Sequence, residues 1–180
     1  MPPGRKDGAP GMFTRRMRRA MRTCALAAWV AASPSWAVAP GDVAPALALP
    51  DAGGSTVALD KLRDRVVYVD FWASWCGPCK RSFPWMNGMH RKYGEQGFTI
   101  VAVNVDKRRD DAAKFLAATP GAFTIVYDPS GGAPAAWDVK GMPTSYLVDR
   151  NGRIVAVDSG FREESKDALE ARIKAALSAQ

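Results

Sequence analysis

A strand-like run of apolar residues leads directly into two cysteines, and this arrangement limits the possible fold and chemistry more than any other part of the 180-residue sequence. Residues 66–72 read Val-Val-Tyr-Val-Asp-Phe-Trp, which is typical of a strand buried on both faces. The segment that follows is predicted to be a helix, which places Cys76 and Cys79 at a strand-to-helix junction. Unpaired N–H groups and the helix dipole favour negative charge there, so the pKa of a thiol should fall below its free value of about 8.5. The sequence therefore predicts a reactive pair of thiols on a rigid support.

The same C-x-x-C spacing also occurs in zinc sites, where it supplies half of the ligands. A structural zinc ion needs four ligands, and the chain has one further cysteine, Cys24, and one histidine, His90. No second Cys or His pair is present to complete such a site. We therefore predict a redox-active pair and no metal site.

Three segments resemble the thioredoxin superfamily. Residues 75–80, Trp-Cys-Gly-Pro-Cys-Lys, and the preceding Val-Asp-Phe-Trp of residues 69–72 closely resemble the thioredoxin active-site segment, including its acidic residue. Pro84 matches the proline that kinks the helix of that family, and residues 141–144, Gly-Met-Pro-Thr, resemble its cis-proline loop. The resemblance covers the chain from about residue 66 to the C-terminus.

The resemblance implies an α/β, thioredoxin-like fold with a central mixed sheet flanked by helices. Residues 46–49 and 55–59 flank a turn-like segment, which predicts an N-terminal β-hairpin. The 63 residues between Cys79 and Pro143 exceed the crossover of a minimal thioredoxin, so we expect a central helix–strand insertion. With this hairpin and this insertion, the chain resembles the membrane-side thioredoxins of the TlpA/ResA type.

The other elements follow from hydrophobic periodicity and turn composition. Asn151-Gly152 between two strand-like runs is a strong hairpin signal, and Ser165 is expected to cap the last helix. Strands are predicted at 66–71, 98–105, 122–127, 145–148 and 153–157, helices at 76–93, 110–118 and from Ser165 onwards, and helical turns at 60–64 and 133–138.

The net charge of +7 could suggest a nucleic acid or acidic lipid as partner, but its distribution excludes a nucleic-acid-binding domain. Residues 1–37 carry +6 of this charge, and residues 38–180 carry only +1. The basic character therefore belongs to the N-terminal leader, and we expect no nucleic-acid partner.

The leader has the pattern of a secretory signal peptide. A basic region of five arginines within residues 15–22 precedes an apolar stretch at residues 24–32, and Ser35-Trp36-Ala37 offers a cleavage signature. We predict a cleaved signal peptide at 1–37, a loose linker at 38–45, a thioredoxin-like domain at 46–180 and a periplasmic location. Two alternatives are a retained membrane anchor facing the periplasm and a disordered basic tail.

The family resemblance assigns roles to the site residues. Cys76, at the start of the helix, is expected to attack a client disulfide, and Cys79 to resolve the mixed disulfide. Asp70 is the candidate base for Cys79, because an unpaired buried carboxylate has a raised pKa. The alternative for Asp70 is a hydrogen-bonded structural acid. No cofactor is expected beyond the redox-active disulfide Cys76–Cys79.

A client-binding surface is expected around the cysteines. By resemblance, Pro143 is cis, lies opposite Cys76 and leaves the Met142 backbone free to pair with a bound peptide; a plain turn proline is the alternative. Trp75 is expected to line this surface, whereas Trp72 is expected to be structural. The candidate binding residues are Trp75, Gly77, Pro78, Met142, Pro143 and Thr144.

The sequence bears on two other function classes, copper handling and peroxide reduction. His90, Met86 and Met89 form a soft-ligand pattern that could handle copper, although methionines at helical spacing more often fill a core. A peroxiredoxin would need a lone peroxidatic cysteine in its own Pro/Thr loop, which the sequence lacks.

The direction of electron flow is predicted from the Gly77-Pro78 dipeptide, which is that of thioredoxin. Thioredoxin has a reduction potential near −270 mV, against about −120 mV for the oxidant DsbA. We predict a monomeric protein-disulfide reductase. The family resemblance implies that a membrane protein of the CcdA/DsbD type recharges it and that its clients are apocytochrome c or other envelope proteins. A disulfide oxidant or isomerase is the alternative.

Overall fold

The computed structural model describes residues 38–179, and the predicted signal peptide at 1–37 lies outside them. Seven strands and four α-helices follow one another in these residues, with short 3₁₀ turns at Leu59–Leu62, Gly94–Gln96 and Glu163–Ser165. The elements are β1 (Ala48–Pro50), β2 (Thr56–Ala58), β3 (Val66–Trp72), α1 (Gly77–Tyr93), β4 (Phe98–Asn104), α2 (Arg109–Ala118), β5 (Thr124–Tyr127), α3 (Gly132–Ala136), β6 (Thr144–Val148), β7 (Ile154–Ser159) and α4 (Lys166–Ser178).

Five strands form a mixed sheet in the order β5-β4-β3-β6-β7. Strand β3 is central, and it pairs in parallel with β4 and antiparallel with β6. All seven residues of β3 are buried, as its continuous apolar sequence predicts for a strand covered on both faces. The predicted α/β fold with a central mixed sheet is confirmed.

The side chains of β3 alternate between two apolar clusters. Val66, Tyr68 and Trp72 pack with α1, α2 and α4 on one face, which we call the helix face. Val67, Val69 and Phe71 pack on the other face with Leu47 and Trp137. Asp70 has the same parity as Tyr68 and Trp72, so it points toward the helix face.

The predicted N-terminal hairpin is present as β1 and β2. Helix α2, strand β5 and helix α3 lie in the stretch between Cys79 and Pro143, where the sequence predicts a helix–strand insertion. Helix α1 continues through Pro84, and it ends at Tyr93 before a 3₁₀ turn closed by Gly97. Gly97 has φ +90°, a conformation that favours glycine. Among residues 38–179, no helix is both long enough and apolar enough to cross a membrane.

The prediction of a loose linker at residues 38–45 is wrong. Gly41 N donates to Ile154 O at 2.7 Å, and Ala44 N donates to Gly152 O at 2.9 Å. Ile154 N in turn donates to Asp42 O at 2.9 Å. Residues 41–44 thus pair with the turn before β7 and with its first residue, through an isolated antiparallel bridge between Val43 and Arg153.

The prediction that the Ser165 side chain caps the last helix is also wrong. Ser165 lies at the N-cap position of α4, but its backbone is already helical and its side chain makes no capping bond. The Ser165 hydroxyl instead donates to Arg162 O at 2.7 Å, within the preceding 3₁₀ turn. The predicted apolar stripe is present, because Leu169 and Ile173 are buried against the sheet.

Candidate active site

The two cysteines lie at the beginning of α1, as predicted. Their Sγ atoms are bonded at 2.04 Å. Cys76 is the N-cap residue, and its Sγ accepts a hydrogen bond from the Cys79 N–H at 3.2 Å. Cys76 is 4% exposed and Cys79 is fully buried. In the reduced protein, a negative charge on Cys76 would therefore meet both an N–H donor and the positive end of the helix dipole.

The loop that carries Cys76 is held by a carboxylate that the sequence analysis missed. Asp106 Oδ2 accepts a hydrogen bond from Ser74 N at 2.9 Å, and Oδ1 accepts one from Ser74 Oγ at 3.0 Å. Asn104 Nδ2 donates to the same carboxylate at 2.7 Å. Strands β3 and β4 are parallel, so their carboxyl ends meet at one edge of the sheet. The sequence signal that could have predicted this contact is the polar residue that follows each of these two buried strands.

Asp70 is buried in β3, with 1% of its surface exposed. Its Oδ2 has no hydrogen-bond partner, and its neighbours in register are Ala102 of β4 and Ser145 of β6. Desolvation by burial raises the pKa of the Asp70 carboxyl well above its usual range. A carboxylate whose pKa is raised binds a proton more strongly than an exposed one does.

A buried pair of hydroxyl groups lies beside Asp70. Tyr68 Oη donates a hydrogen bond to Ser145 Oγ at 2.7 Å. Burial, reinforced by the nearby Asp70 carboxyl, raises the pKa of Tyr68, which therefore stays protonated. Sequence reasoning missed both residues, because each reads as an ordinary strand residue until the strands are aligned.

The loop before β6 has the predicted cis peptide bond between Met142 and Pro143. Pro143 O accepts a hydrogen bond from Gly160 N at 2.7 Å, and Thr144 Oγ1 donates to Gly141 O at the same distance. Pro143 and Thr144 are buried, whereas Met142 is half-buried against the helix-face cluster. The loop is thus tied to both the end of β7 and its own first residue.

The two tryptophans before the cysteines have different environments. Trp75 is 73% exposed, next to Cys76. Trp72 is fully buried, and its ring lies 5.0 Å from that of Phe83 and 4.8 Å from that of Phe115, centroid to centroid. Gly77 is exposed and Pro78 is half-buried. Trp75 is thus free to contact a client, whereas Trp72 supports the core beneath the site.

The methionines of the possible copper pattern belong to the core. Met86 is fully buried and Met89 is 8% exposed, both packed in the helix-face cluster. Within residues 38–179, no three His, Cys, Asp or Glu side chains come close enough together to hold a metal ion. The thioethers of Met86 and Met89 therefore fill the core, where they are not exposed to bind a copper ion.

Comparisons with known proteins agree with this geometry. The sequence profile of the Redoxin family matches residues 39–173. The chain is 34% identical to the thiol-disulfide oxidoreductase ResA of Bacillus subtilis (strain 168) over 128 residues, which cover 71% of this chain and 72% of that protein. It is 36% identical to ResA of Geobacillus thermodenitrificans (strain NG80-2) over 136 residues, with 74% and 78% of the two chains covered.

A solved structure is also similar. It is the crystal structure of a Chlorobium tepidum protein described as a thiol:disulfide interchange protein DsbE. The TM-score is 0.75 at 54% sequence identity, and the match covers 77% of this chain and 98% of that one.

Proposed function

The chain belongs to the Redoxin family and is a TlpA/ResA-like thiol-disulfide oxidoreductase of the thioredoxin superfamily, and from this we propose that it is an exported protein-disulfide reductase. Such enzymes exchange electrons with disulfide or dithiol groups of client proteins. The observation that carries the proposal is the position of Cys76 Sγ, which accepts a hydrogen bond from the Cys79 N–H at the start of α1. Asp70, whose Oδ2 has no hydrogen-bond partner, lies buried in the neighbouring strand β3.

In the first step, the Cys76 thiolate attacks one sulfur of a client disulfide. A bond forms between Cys76 Sγ and that sulfur, and the second client sulfur leaves as a thiolate. The Cys79 N–H and the positive end of the helix dipole are placed to stabilise negative charge on the attacking sulfur.

In the second step, Cys79 loses its proton to Asp70 and attacks Cys76 Sγ. The Cys76–Cys79 disulfide forms, the mixed disulfide breaks, and the client leaves with both sulfurs reduced. Two electrons have then passed from the protein to the client. Because Cys79 is fully buried, it needs a base inside the protein, and Asp70 is the buried acid on the same face of the sheet.

The client is proposed to bind across the cysteines and the cis-proline loop. Trp75 would contribute an exposed aromatic surface, and the Met142 backbone would pair with an extended client segment as an added strand. The other proposed contacts are Gly77, Pro78, Pro143 and Thr144.

The direction of transfer is proposed to be reduction of clients. Gly77-Pro78 is thioredoxin's own dipeptide, and a thioredoxin-like potential lies near −270 mV. A reductant in an oxidising compartment must be recharged, and a membrane protein of the CcdA/DsbD type is the proposed donor. Apocytochrome c is a proposed client, the protein is proposed to act as a monomer, and no cofactor beyond the cysteine pair is invoked.

The proposed location is the periplasm. The basic and apolar pattern of residues 1–37, which lie outside the described residues, supports cleavage of a signal peptide after Ala37. The exported protein would then begin at residue 38, and Cys76 and Cys79 would be its only thiols. A retained leader that anchors the protein is the alternative.

Two measurements test this proposal. Equilibration with glutathione buffers should give a potential near that of thioredoxin, and a value above about −180 mV would instead identify an oxidant or isomerase. The Cys79→Ser variant should accumulate a mixed disulfide with its client through Cys76, and Cys76→Ala should accumulate none. Reduction of insulin by Cys76→Ala at the parental rate would overturn the proposed mechanism.

A further inference from the structure

A cleft of about 370 Å³ lies beside the loop that carries Cys76. Its walls come from that loop and from helices α1 and α2, and they include Ser74, Lys80, Asp111, Lys114 and Phe115. Ser74 lies two residues before Cys76, and Lys80 directly follows Cys79. A client side chain close to the disulfide can therefore reach the cleft while Cys76 attacks.

Two lysines from different helices line this cleft. Lys80 of α1 and Lys114 of α2 are both exposed. Within residues 38–179, neither ammonium group forms an ion pair with a carboxylate. Helix α1 adds to the positive charge, because it contains no Asp or Glu and its Lys and Arg residues are Lys80, Arg81, Arg91 and Lys92. A negatively charged client group would thus meet two ammonium groups that the described residues leave unpaired.

The apolar part of the cleft is held in place by the core. Phe115 is 6% exposed and belongs to the helix-face cluster. Its ring lies 4.8 Å from that of Trp72 and 5.1 Å from that of Phe83, centroid to centroid. The methylene groups of a glutamate can pack on such a ring, since burial of apolar surface is favourable, while the carboxylate remains free to bind the lysines.

One carboxylate inside the cleft opposes an acidic ligand. Asp111 is half-buried, and its Oδ2 lies 3.9 Å from Arg108 Nε, which offsets part of its charge. Asp106 lies behind Ser74, but it is 5% exposed and its oxygens accept hydrogen bonds from Ser74 and Asn104. The cleft therefore presents two unpaired cations against one carboxylate that already has a cationic neighbour.

We propose that this cleft is a client-recognition subsite, in which Lys80 and Lys114 bind an acidic side chain close to the client's disulfide. The proposal rests on the proposed function, because it concerns the client of the same dithiol. The two ion pairs hold the client segment while Cys76 attacks, and they add no covalent step. The preferred substrates are proteins with Glu or Asp beside a disulfide, rather than proteins with neutral or basic residues there.

The test uses synthetic peptides that are each closed by one disulfide and differ at a single residue. Glu, Gln or Lys is placed at successive positions on either side of the first cysteine. The pre-reduced protein is mixed with each peptide, and the second-order rate constant for reduction is divided by that for dithiothreitol, which corrects for the intrinsic reactivity of the peptide. At the best position, the corrected rate for the Glu peptide should exceed that for the Gln peptide by at least about fivefold, the upper range for one exposed ion pair. The Lys peptide should react most slowly.

Variants of the cleft should change this preference. Lys80→Gln and Lys114→Gln should each lower the Glu-to-Gln rate ratio by about three- to fivefold. Lys114→Glu should reverse the preference in favour of the Lys peptide, and Asp111→Asn should strengthen the preference for Glu. Lys114 lies on α2, away from the cysteine helix, so its variants remain informative even if Lys80→Gln alters the reactivity of the cysteines.

Arg81→Gln is the matched control. It removes the same charge from the residue next to Lys80 on α1, and Arg81 is not among the residues that line the cleft. The Glu-to-Gln ratio should stay at the parental value. An equal fall of the ratio in Arg81→Gln and in the two lysine variants would show general attraction by a basic helix and would overturn the subsite.

The peptides also separate the subsite from the proposed function. Reduction of the Glu, Gln and Lys peptides at one corrected rate, at every position, would refute the subsite and leave the reductase intact. Failure of the parent to reduce any of the peptides would refute the proposed function itself.

Discussion

The Asp106 carboxylate accepts two hydrogen bonds from Ser74, one from its main-chain N–H and one from its hydroxyl. Ser74 lies two residues before Cys76, and Asp106 lies two residues after the end of β4. The contact therefore ties the loop that carries the attacking sulfur to a neighbouring strand of the sheet. Asp106 is 5% exposed, so water cannot readily replace it as the acceptor.

Asp106→Ala should lower both stability and activity. The substitution leaves donors of Ser74 and Asn104 without an acceptor, which should cost about 1–3 kcal/mol in the free energy of unfolding. The looser loop should slow client reduction by about an order of magnitude, because small misplacements of a reacting atom reduce rates steeply. Urea denaturation and insulin reduction measure the two effects. Asp110→Ala removes an exposed acid nearby and should change neither; a variant of Asp106 that behaves like this control would contradict the prediction.

Asp70→Asn should make the stability of the fold less dependent on pH. Burial raises the pKa of Asp70 in the folded state, whereas an unfolded aspartate titrates near 3.9. Between these two pKa values the folded state binds more protons than the unfolded state, so the parent loses stability as pH rises and levels off above the folded pKa. Each unit of pKa difference corresponds to about 1.4 kcal/mol.

The pH dependence is measured by urea denaturation of the oxidised parent and Asp70→Asn at a series of pH values from 4 to 9, a range chosen to extend above the unfolded pKa. The variant should gain stability relative to the parent as pH rises. Asp60→Asn, at an exposed position, serves as the control. A constant difference between parent and Asp70→Asn across the series would show that Asp70 has an ordinary pKa in the folded protein.

Alanine substitution should impair client binding at Trp75 and stability at Trp72. Trp75 is 73% exposed, so Trp75→Ala should change stability by less than about 0.5 kcal/mol. Loss of an exposed aromatic contact should nevertheless raise KM for a protein client by more than about fivefold. Trp72→Ala removes a buried ring from the helix-face cluster and should cost about 3–5 kcal/mol. Denaturation midpoints and steady-state kinetics of both variants decide the matter, and an unchanged KM for Trp75→Ala would argue against a client-binding role.

Removal of residues 38–45 should destabilise the folded protein. A chain that begins at Ala46 loses three backbone hydrogen bonds to Gly152 and Ile154 that a chain beginning at Val38 retains. At about 1 kcal/mol for each bond, the expected loss is about 3 kcal/mol in the free energy of unfolding. Val43→Ala is the control, because the Val43 side chain is 63% exposed and its backbone pairing is kept. Equal urea midpoints for the two chains would restore the interpretation of this segment as a loose linker.

Local patterns in the sequence were sufficient to predict the cysteine pair, the central strand and most of the helices. Residues 66–72 predict a buried strand from their apolar composition alone, and the position of Cys76 and Cys79 at a helix start follows from the elements on either side. These features depend on neighbours within a few residues, which hydrophobic periodicity and helix-end chemistry describe well.

Other features could not be predicted because they depend on residues far apart in the chain. Ser74 and Asp106 are 32 residues apart, and Tyr68 and Ser145 are 77 apart. Nothing near Ser145 in the sequence indicates that Asp70 and Asp158 lie on its two sides. The edge pairing of residues 41–44 likewise depends on β7, more than a hundred residues later.

The amino-acid sequence alone was enough to establish the redox chemistry, since a dithiol at a helix start follows from residue types and spacing. Strand order and register then decided how the groups behind that dithiol are placed: the buried, unpaired position of Asp70 and the carboxylate that holds Ser74. The physical reason is that hydrogen bonds and desolvation act over a few ångströms in space. Residues distant in sequence come within that range only after the sheet has formed.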